Sequence, residues 1–213
     1  MTNPDYTAIA LIVDRSGSML GIAADAEGGI NTFLEEQRKL DDRCDILLVD
    51  FDTVYQVVQD YVPAKKTAYY KLVPRGATAL YDAMGHTIAD LGARLAAMPE
   101  HDRPGKVMVV TMTDGQENSS KDWTHSMLAD TIKRQQDEFN WEFIYLSSDP
   151  ASVSLAWGLG VPKANTVILD DASGASYMAG TQSVRQTVNH YRGTGTVKVE
   201  DNDMRKSAKK EKK

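Results

Sequence analysis

The stretch Asp14-Arg15-Ser16-Gly17-Ser18 decides how this sequence folds, and it directly follows the unbroken apolar run Ala8-Ile9-Ala10-Leu11-Ile12-Val13. An apolar run of this length is typical of a strand buried on both faces, as in the centre of a parallel sheet. The polar stretch ends the strand, and its glycine can take the positive φ of a sharp turn. We expect that turn to gather the Asp14 carboxylate and the hydroxyls of Ser16 and Ser18 around one point. Such hard oxygen groups suit a hard divalent cation, although the same residues could simply form a turn and cap the next helix.

Length and composition describe a chain that can bury the core of one full domain, with 213 residues and 42% hydrophobic content. Cys44 is the single cysteine, which excludes an internal disulfide, and the sequence begins without a secretory signal pattern. We therefore expect a cytoplasmic protein. No apolar run approaches the roughly 20 residues that cross a bilayer, so we expect no membrane segment.

The charge is unevenly distributed. The formal net charge is −6, but Met204 to Lys213 contains six Lys or Arg and one Glu, a net charge of +5, which leaves −11 for the rest. A body this acidic disfavours nucleic acid as a partner of its folded surface. We interpret residues 1–192 as one domain and residues 193–213 as a flexible, charged C-terminal tail.

Strand and helix patterns alternate along the domain. Predicted strands cover Ala8–Val13, Cys44–Phe51, Val54–Tyr61, Lys106–Thr113, Trp141–Leu146 and Thr166–Leu169. Predicted helices cover Asp25–Leu40, Ala79–Met98, Ser119 or Ser120 to Phe139, a short segment from Asp149 to Trp157, and Ser176–Tyr191. The alternation predicts an α/β fold with a doubly wound, mostly parallel sheet that has helices on both faces. The second and third strands are joined by a short turn, which predicts an antiparallel strand at one edge.

A second strand also ends in a carboxylate. The run Lys106–Thr113 is followed by Asp114-Gly115, and ligands of open α/β sheets bind at the carboxyl ends of strands where the strand order reverses. Thr78 lies in a glycine-containing loop at a helix start, from which its hydroxyl can reach the same crevice. The predicted metal site therefore consists of oxygen groups from Asp14, Ser16, Ser18, Thr78 and Asp114.

These three segments, in this order, resemble the metal-ion-dependent adhesion site of von Willebrand factor type A domains. The similarity covers roughly Tyr6 to Tyr191, and all five ligand positions hold the expected residue types. The compact form, with segments such as Asn31–Gln37 and Pro74–Ala83, is similar to stand-alone intracellular members from bacteria and phages. The resemblance implies a Rossmann-like sheet of six strands with the antiparallel strand at one edge.

The resemblance also implies a function, which is that of a protein-binding module and not of an enzyme. Bound Mg²⁺ or Mn²⁺ would recruit a Glu or Asp carboxylate of a partner protein, and intracellular relatives often work beside ring ATPases. The alternative is a metal-dependent hydrolase that acts on a phosphorylated small molecule or peptide, with Asp82 or Glu117 as its base. A third reading is a metal-free scaffold whose hydroxyls only cap turns.

Arg15 and the glycine pair Gly28-Gly29 receive simple interpretations from their positions. Arg15 stands between two predicted ligands and is expected to point to solvent. Gly28-Gly29 lies inside a predicted helix, where glycine costs about 1 kcal/mol relative to alanine, so we expect an irregularity or a close approach of backbone there.

Overall fold

The apolar run that opens the sequence forms the central strand of the sheet. The computed structural model describes residues 1–199, and strand β1 spans Asn3–Asp14 with every residue from Tyr6 onward buried. Strands β2 and β4 flank β1, and both run parallel to it. The six strands are β1 (Asn3–Asp14), β2 (Arg43–Phe51), β3 (Tyr55–Pro63), β4 (Pro104–Met112), β5 (Glu142–Ser147) and β6 (Thr166–Ile168).

The strand order is β3-β2-β1-β4-β5-β6. Strand β3 pairs antiparallel with β2 at one edge, and the other neighbours are parallel, which confirms the predicted sheet. The chain builds outward from β1 in one direction and from β4 in the other, so the order reverses between these two strands. Val13 pairs with Met112 in register, and Asp14 therefore leaves the sheet beside the residues that follow β4. This reversal places a crevice at the carboxyl ends of β1 and β4.

Helices cover both faces of the sheet, as the alternating pattern predicted. The α-helices of the described residues are α1 (Ala23–Lys39), α2 (Leu80–Ala97), α3 (His125–Phe139), α4 (Pro150–Gly158) and α5 (Gly174–Thr194). Alternate residues of β1 face opposite layers, with Ile9 and Leu11 packed in the core beneath α1 and α5, and Ala10 and Ile12 in the core beneath α2, α3 and α4. Burying each large apolar side chain contributes about 1.5–3 kcal/mol, so the two cores fix the position of β1 from both sides.

Helices α1 and α5 approach each other closely at Gly29. A Cβ added to Gly29 would lie 2.5 Å from the Thr181 hydroxyl oxygen, so no side chain fits there without a shift. A close approach at the glycine pair is therefore found, but it is made by the side chain of Thr181 and not by backbone as expected. The irregularity lies before the helix, where a 3-10 turn, Gly17–Ile22, leads from the polar stretch into α1.

Two helix ends differ from the predicted ones. Helix α3 begins at His125 with Thr124 as its cap, not at Ser119 or Ser120. Helix α5 continues to Thr194 and ends at Gly195, which has a left-handed φ of 73°. The helix thus includes the first residues of the predicted linker.

The chain continues beyond α5 along the surface. The partly buried side chains of Val197 and Val199 pack against the core beneath α1 and α5. The basic run from Met204 to Lys213 lies outside the described residues. In residues 1–199, no helix combines the length and apolar character needed to cross a membrane.

Candidate metal centre

Strand β1 delivers Asp14 into the crevice with no exposed surface. The Ser16 backbone N–H donates to Asp14 Oδ1 at 2.6 Å, and the Thr113 hydroxyl donates to Asp14 Oδ2 at 2.5 Å. The second bond joins the ends of β1 and β4 directly. Asp14 is therefore held at the strand reversal by one contact from each side.

The hydroxyls of the polar stretch connect Asp14 to the second carboxylate. The hydroxyl oxygens of Ser16 and Ser18 lie 2.9 Å apart, and the Ser18 hydroxyl donates to Asp114 Oδ1 at 2.7 Å. The turn itself differs from the expectation, because Gly17 does not have a positive φ. Gly17 instead brings two segments together, since its N–H donates to the Gly76 carbonyl at 3.1 Å.

Thr78 reaches the same crevice from the segment before α2. A Cβ added to Gly115 would lie 3.1 Å from Thr78 Oγ1, 3.4 Å from Ser18 Oγ and 3.5 Å from Asp14 Oδ2. These three oxygens therefore surround one glycine, and a larger residue there would crowd them. The structure brings together all five residues that the sequence predicted.

Asn118 is a site residue that the sequence reading missed. Its side-chain oxygen accepts from the Thr78 N–H at 2.9 Å, and its own N–H donates to the Thr78 carbonyl at 3.0 Å. This reciprocal pair fixes Thr78 to the loop that carries Asp114. A single asparagine four residues after the predicted ligand gives no pattern by which to recognise it.

The electrostatics of the crevice favour a bound cation. Burial raises the pKa of Asp14 to about 6, and Asp114 adds to the rise, although the bonds from Thr113 and Ser16 oppose it. Burial also raises the pKa of Asp114, against the bond from Ser18. Among the described residues, neither carboxylate has an ion-pair partner. Two adjacent carboxylates without a protein cation, together with three hydroxyls, fit a hard dication.

A metal site made of acidic, histidine or cysteine side chains alone was sought in the described part of the chain. Residues 1–199 hold no group of three or more His, Cys, Asp or Glu side chains arranged for a metal ion. The mixed set of carboxylates and hydroxyls is thus the candidate, and its assignment as a metal site stays a prediction.

Glu117 and Asp82, the two bases considered for a hydrolase, hold the loop between β4 and α3. Glu117 accepts from the N–H groups of Tyr81, Ser119 and Ser120 at 2.8–2.9 Å. The carboxylate thus binds the N–H groups of Ser119 and Ser120, the residues that were expected to start α3. This explains why the helix starts later.

Asp82 performs the same task from the first turn of α2. Its two oxygens accept from the N–H groups of Lys121, Asp122 and Trp123 at 2.8–3.0 Å. Both carboxylates therefore have their oxygens engaged by backbone donors that fasten the loop to α2.

Arg15 is buried, which makes the expectation that it points to solvent wrong. It is 5% exposed, and its guanidinium lies 3.3 Å from Asp50 Oδ1 and 3.2 Å from Asp52 Oδ2. The side chain turns away from the crevice toward the end of β2. Its positive charge thus pairs with these two carboxylates and does not neutralise the charge of Asp14.

Comparison with known proteins supports the fold. No protein-family model and no curated protein matches the sequence. Solved structures do match, among them a von Willebrand factor type A protein from Catenulispora acidiphila, with 19% identity, a TM-score of 0.58, and coverage of 85% of this chain and 42% of that one. Proximal thread matrix protein 1 of the mussel byssus, solved with a zinc-occupied MIDAS motif, matches with 14% identity, a TM-score of 0.58, and coverage of 86% and 46%.

A third match is a D319A mutant of the PilB minor pilin from Streptococcus sanguinis. It has 11% identity and a TM-score of 0.62, and the match covers 89% of this chain and 63% of the pilin. The chain thus spans less than two thirds of the length of each of these proteins. At these identities the likeness concerns architecture, which agrees with the strand order and the antiparallel edge described above. The chain has the fold of a von Willebrand factor type A domain.

Proposed function

We propose that this chain is a divalent-metal-dependent protein-binding module. Asp14, Ser16, Ser18, Thr78 and Asp114 would hold Mg²⁺ or Mn²⁺, and an acidic residue of a partner protein would complete the site. The observation that carries the proposal is the convergence of two carboxylates and three hydroxyls in one crevice that no protein cation neutralises. The zinc-occupied MIDAS motif of the byssus protein supports the same reading for a protein of this fold.

The donor set explains why an acidic partner is favoured. Three of the five groups are neutral hydroxyls, so two carboxylates balance a dication without making the site anionic. Mg²⁺ prefers six oxygen ligands and usually retains water, which leaves room for a carboxylate from outside. The crevice residues would thus hold the ion, and a carboxylate of the partner would complete its set of oxygen ligands.

Binding without catalysis is proposed because the nearby carboxylates have other tasks. A hydrolase requires a base within reach of the attacking water. Glu117 and Asp82 each accept three backbone N–H bonds, so both oxygens of each carboxylate are already engaged by the backbone. A ring ATPase is the partner class that the family resemblance suggests.

Calorimetric titration tests the proposal. The parent protein should bind Mg²⁺ and Mn²⁺, and Asp114→Asn should lose that binding. Asp122→Asn is the matched control, because Asp122 lies in the same loop but is exposed and pairs with His86 outside the crevice. A parent protein that gives no heat and no thermal shift with either metal would leave the metal-free scaffold as the remaining reading.

The partner's contribution is tested separately. A partner recovered by affinity capture should be lost when a chelator is added, and replacing one of its Glu or Asp residues should abolish binding. A partner that binds equally well in chelator would contradict metal-dependent recognition.

A further inference from the structure

Two backbone hydrogen bonds align the segments that carry the predicted ligands. The Arg75 N–H donates to the Arg15 carbonyl at 2.8 Å, and the Gly17 N–H donates to the Gly76 carbonyl at 3.1 Å. One segment holds three predicted ligands, and the other leads into Thr78. The position of the Thr78 hydroxyl relative to Asp14 therefore depends on how these segments are held together.

Asp52, which follows β2, contacts both segments while being only 1% exposed. Its Oδ2 lies 3.2 Å from Arg15 Nε and accepts from Arg75 Nε at 2.7 Å. Its carbonyl accepts from the Ala79 N–H at 2.9 Å. One residue thus binds the segment between the first two ligands and the segment on both sides of Thr78.

The local backbone keeps Asp52 rigid. Its Oδ1 accepts from the Val54 N–H at 2.7 Å, which fixes the side chain to its own turn. Gly76 lies directly over it with a left-handed φ of 70°, and a Cβ added there would be 3.2 Å from the Asp52 Cβ. The carboxylate remains ionised, because the Arg75 and Val54 bonds lower its pKa more than burial raises it.

We propose that Asp52 is a positioning residue of the metal site, which sets the place of Thr78 against the loop of Asp14, Ser16 and Ser18. This inference rests on the proposed metal-binding function. It assigns a role to a residue that touches none of the five ligand side chains and acts through Arg15, Arg75 and the backbone.

Asp50 provides a natural control. It precedes Asp52 by two residues, is 4% exposed and pairs with the same arginine, at 3.3 Å from Arg15 Nη1. Its other bond is to the Tyr70 hydroxyl at 3.3 Å. The described structure shows no hydrogen bond or ion pair from Asp50 to residues 75–79, so Asp50→Asn disturbs Arg15 without releasing the Thr78 segment.

The first test compares the Mg²⁺ and Mn²⁺ affinities of Asp52→Asn and Asp50→Asn by calorimetry, well below the melting temperature of each variant. Asp52→Asn should lose up to about fivefold, the equivalent of the roughly 1 kcal/mol that a replaceable hydrogen-bonding ligand such as the Thr78 hydroxyl contributes. Asp50→Asn should lose less than about twofold, because no hydrogen bond or ion pair joins Asp50 to the Thr78 segment. Equal losses in the two variants would reduce Asp52 to a structural role and overturn the proposal.

A double-mutant cycle with Thr78→Ala locates the effect. If Asp52 acts by placing Thr78, then Asp52→Asn should cost little further affinity once the Thr78 hydroxyl is gone. Asp50→Asn should cost the same in either background. Additive losses for Asp52 and Thr78 would show that Asp52 does not act through Thr78.

Amide hydrogen exchange on the metal-free protein gives a readout that does not depend on metal binding. The amides of Gly17, Arg75 and Ala79 should exchange faster in Asp52→Asn and stay protected in Asp50→Asn. A parent protein that binds no metal would end the proposed function, yet this experiment would still decide whether Asp52 joins the two segments. Unchanged exchange in Asp52→Asn would overturn the positioning role.

Arg75→Gln keeps the test decisive if Asp52→Asn does not fold. The Arg75 side chain is 60% exposed, and its ion pair is with Asp52. The variant should lose about threefold in metal affinity, a fraction of the effect of removing a full outer-shell partner. It should also speed exchange at Gly17, and parent-like values of both quantities would contradict the proposal.

Discussion

Two pairs of aspartates lie at the carboxyl ends of the strands, and the protein neutralises their negative charges to different extents. Asp50 and Asp52, at the end of β2, lie beside the guanidinium of Arg15, and Asp52 also binds Arg75. Asp14 and Asp114, at the ends of β1 and β4, receive hydrogen bonds only from hydroxyl and backbone groups. The first pair has its counterions built in. The second pair leaves a charge that a ligand from outside can neutralise.

The pKa values of Asp14 and Asp52 differ in the direction that these contacts imply. Burial raises the pKa of Asp14 to about 6, whereas Asp52, under the influence of Arg75 and the Val54 N–H, has a lowered pKa despite its burial. Asp50 has a neighbouring arginine and a hydrogen bond from Tyr70, yet burial outweighs both and its pKa is raised. The direction of each shift therefore depends on whether nearby charges and hydrogen bonds outweigh the cost of burial.

The largest effect is expected when one residue of the uncompensated pair, Asp14 or Asp114, is replaced. Asp14→Ala or Asp114→Ala should lower Mg²⁺ affinity by at least about 100-fold, the upper end of what the loss of an outer-shell group costs. The fold should remain, since both residues follow the apolar part of their strands. Calorimetry and circular dichroism measure the two quantities, with Asp137→Ala on the exposed face of α3 as the control. Parent-like affinity in Asp14→Ala would refute the site assignment.

The second largest effect is expected when Asp52, of the compensated pair, is replaced. Asp52→Asn should destabilise the metal-free protein by about 3 kcal/mol at pH 7, because two arginines lose their common partner. The lowered pKa of Asp52 means that its contribution is present above the ordinary carboxyl pKa and is lost as the pH falls below it. Urea unfolding at pH 7 and pH 3 measures this, and a difference between parent and variant that does not shrink at pH 3 would be inconsistent with an ionic role.

The third replacement should increase the stability of the metal-free protein, whereas the second should decrease it. A pKa raised to about 6 means that Asp14 favours folding below its ordinary pKa near 4, and that this contribution is lost as the pH rises through 6. Asp14→Asn should therefore stabilise the metal-free protein at pH 7 by on the order of 2 kcal/mol, and by much less at pH 4. Thermal unfolding in chelator at both pH values checks this. Destabilisation at pH 7 would show that the hydrogen bonds of the carboxylate outweigh its burial.

A smaller effect separates Thr78 from the carboxylates. The family resemblance implies that the threonine coordinates directly when a partner carboxylate is bound and through water otherwise. Thr78→Ala should thus reduce bare Mg²⁺ affinity by only about 1 kcal/mol, the value of a replaceable hydrogen-bonding group. Partner affinity should fall further, and both are measured by calorimetry on one variant. Equal losses would make Thr78 an ordinary ligand.

The smallest effect tests whether the basic C-terminal run provides a positive charge to the crevice. Deleting the basic run from Met204 to Lys213 should change neither the melting temperature nor Mg²⁺ affinity, since a segment with almost no apolar residues adds no core. A marked gain in metal affinity would mean that its lysines compete for the crevice, and a loss of several degrees would mean that they dock on the acidic body.

The sequence identified the five crevice residues because each follows a recognisable local rule. Asp14 and Asp114 end buried strands, and parallel strands bring their ends to one edge. The errors concern residues whose partners are distant in the sequence. Arg15 looked solvent-directed because its partners at the end of β2 lie more than thirty positions away and only the sheet brings them near.

The β4–α3 loop illustrates a different limit, because there a local contact competes with the start of a helix. Ser119 and Ser120 have the composition of helix caps, but the Glu117 carboxylate binds their N–H groups and delays the helix to His125. Asp82 and Glu117 were considered as bases because of their nearness in the sequence to the predicted ligands. Their role in fastening the loop depends on tertiary contacts that no local pattern encodes.

The central place of β1 has a consequence for biosynthesis. Strand β1 is made before the other five strands of this sheet, yet the partner on its second side is β4, and the hydrogen bond between Asp14 and Thr113 joins residues 99 positions apart. At about 5–20 residues per second, a ribosome takes roughly 5 to 20 seconds to cover that distance. During this interval the most apolar strand of the protein has an open edge, which can pair with other chains. The nascent polypeptide therefore passes through an aggregation-prone stage that ends only when β4 emerges, and the crevice between β1 and β4 cannot form before then.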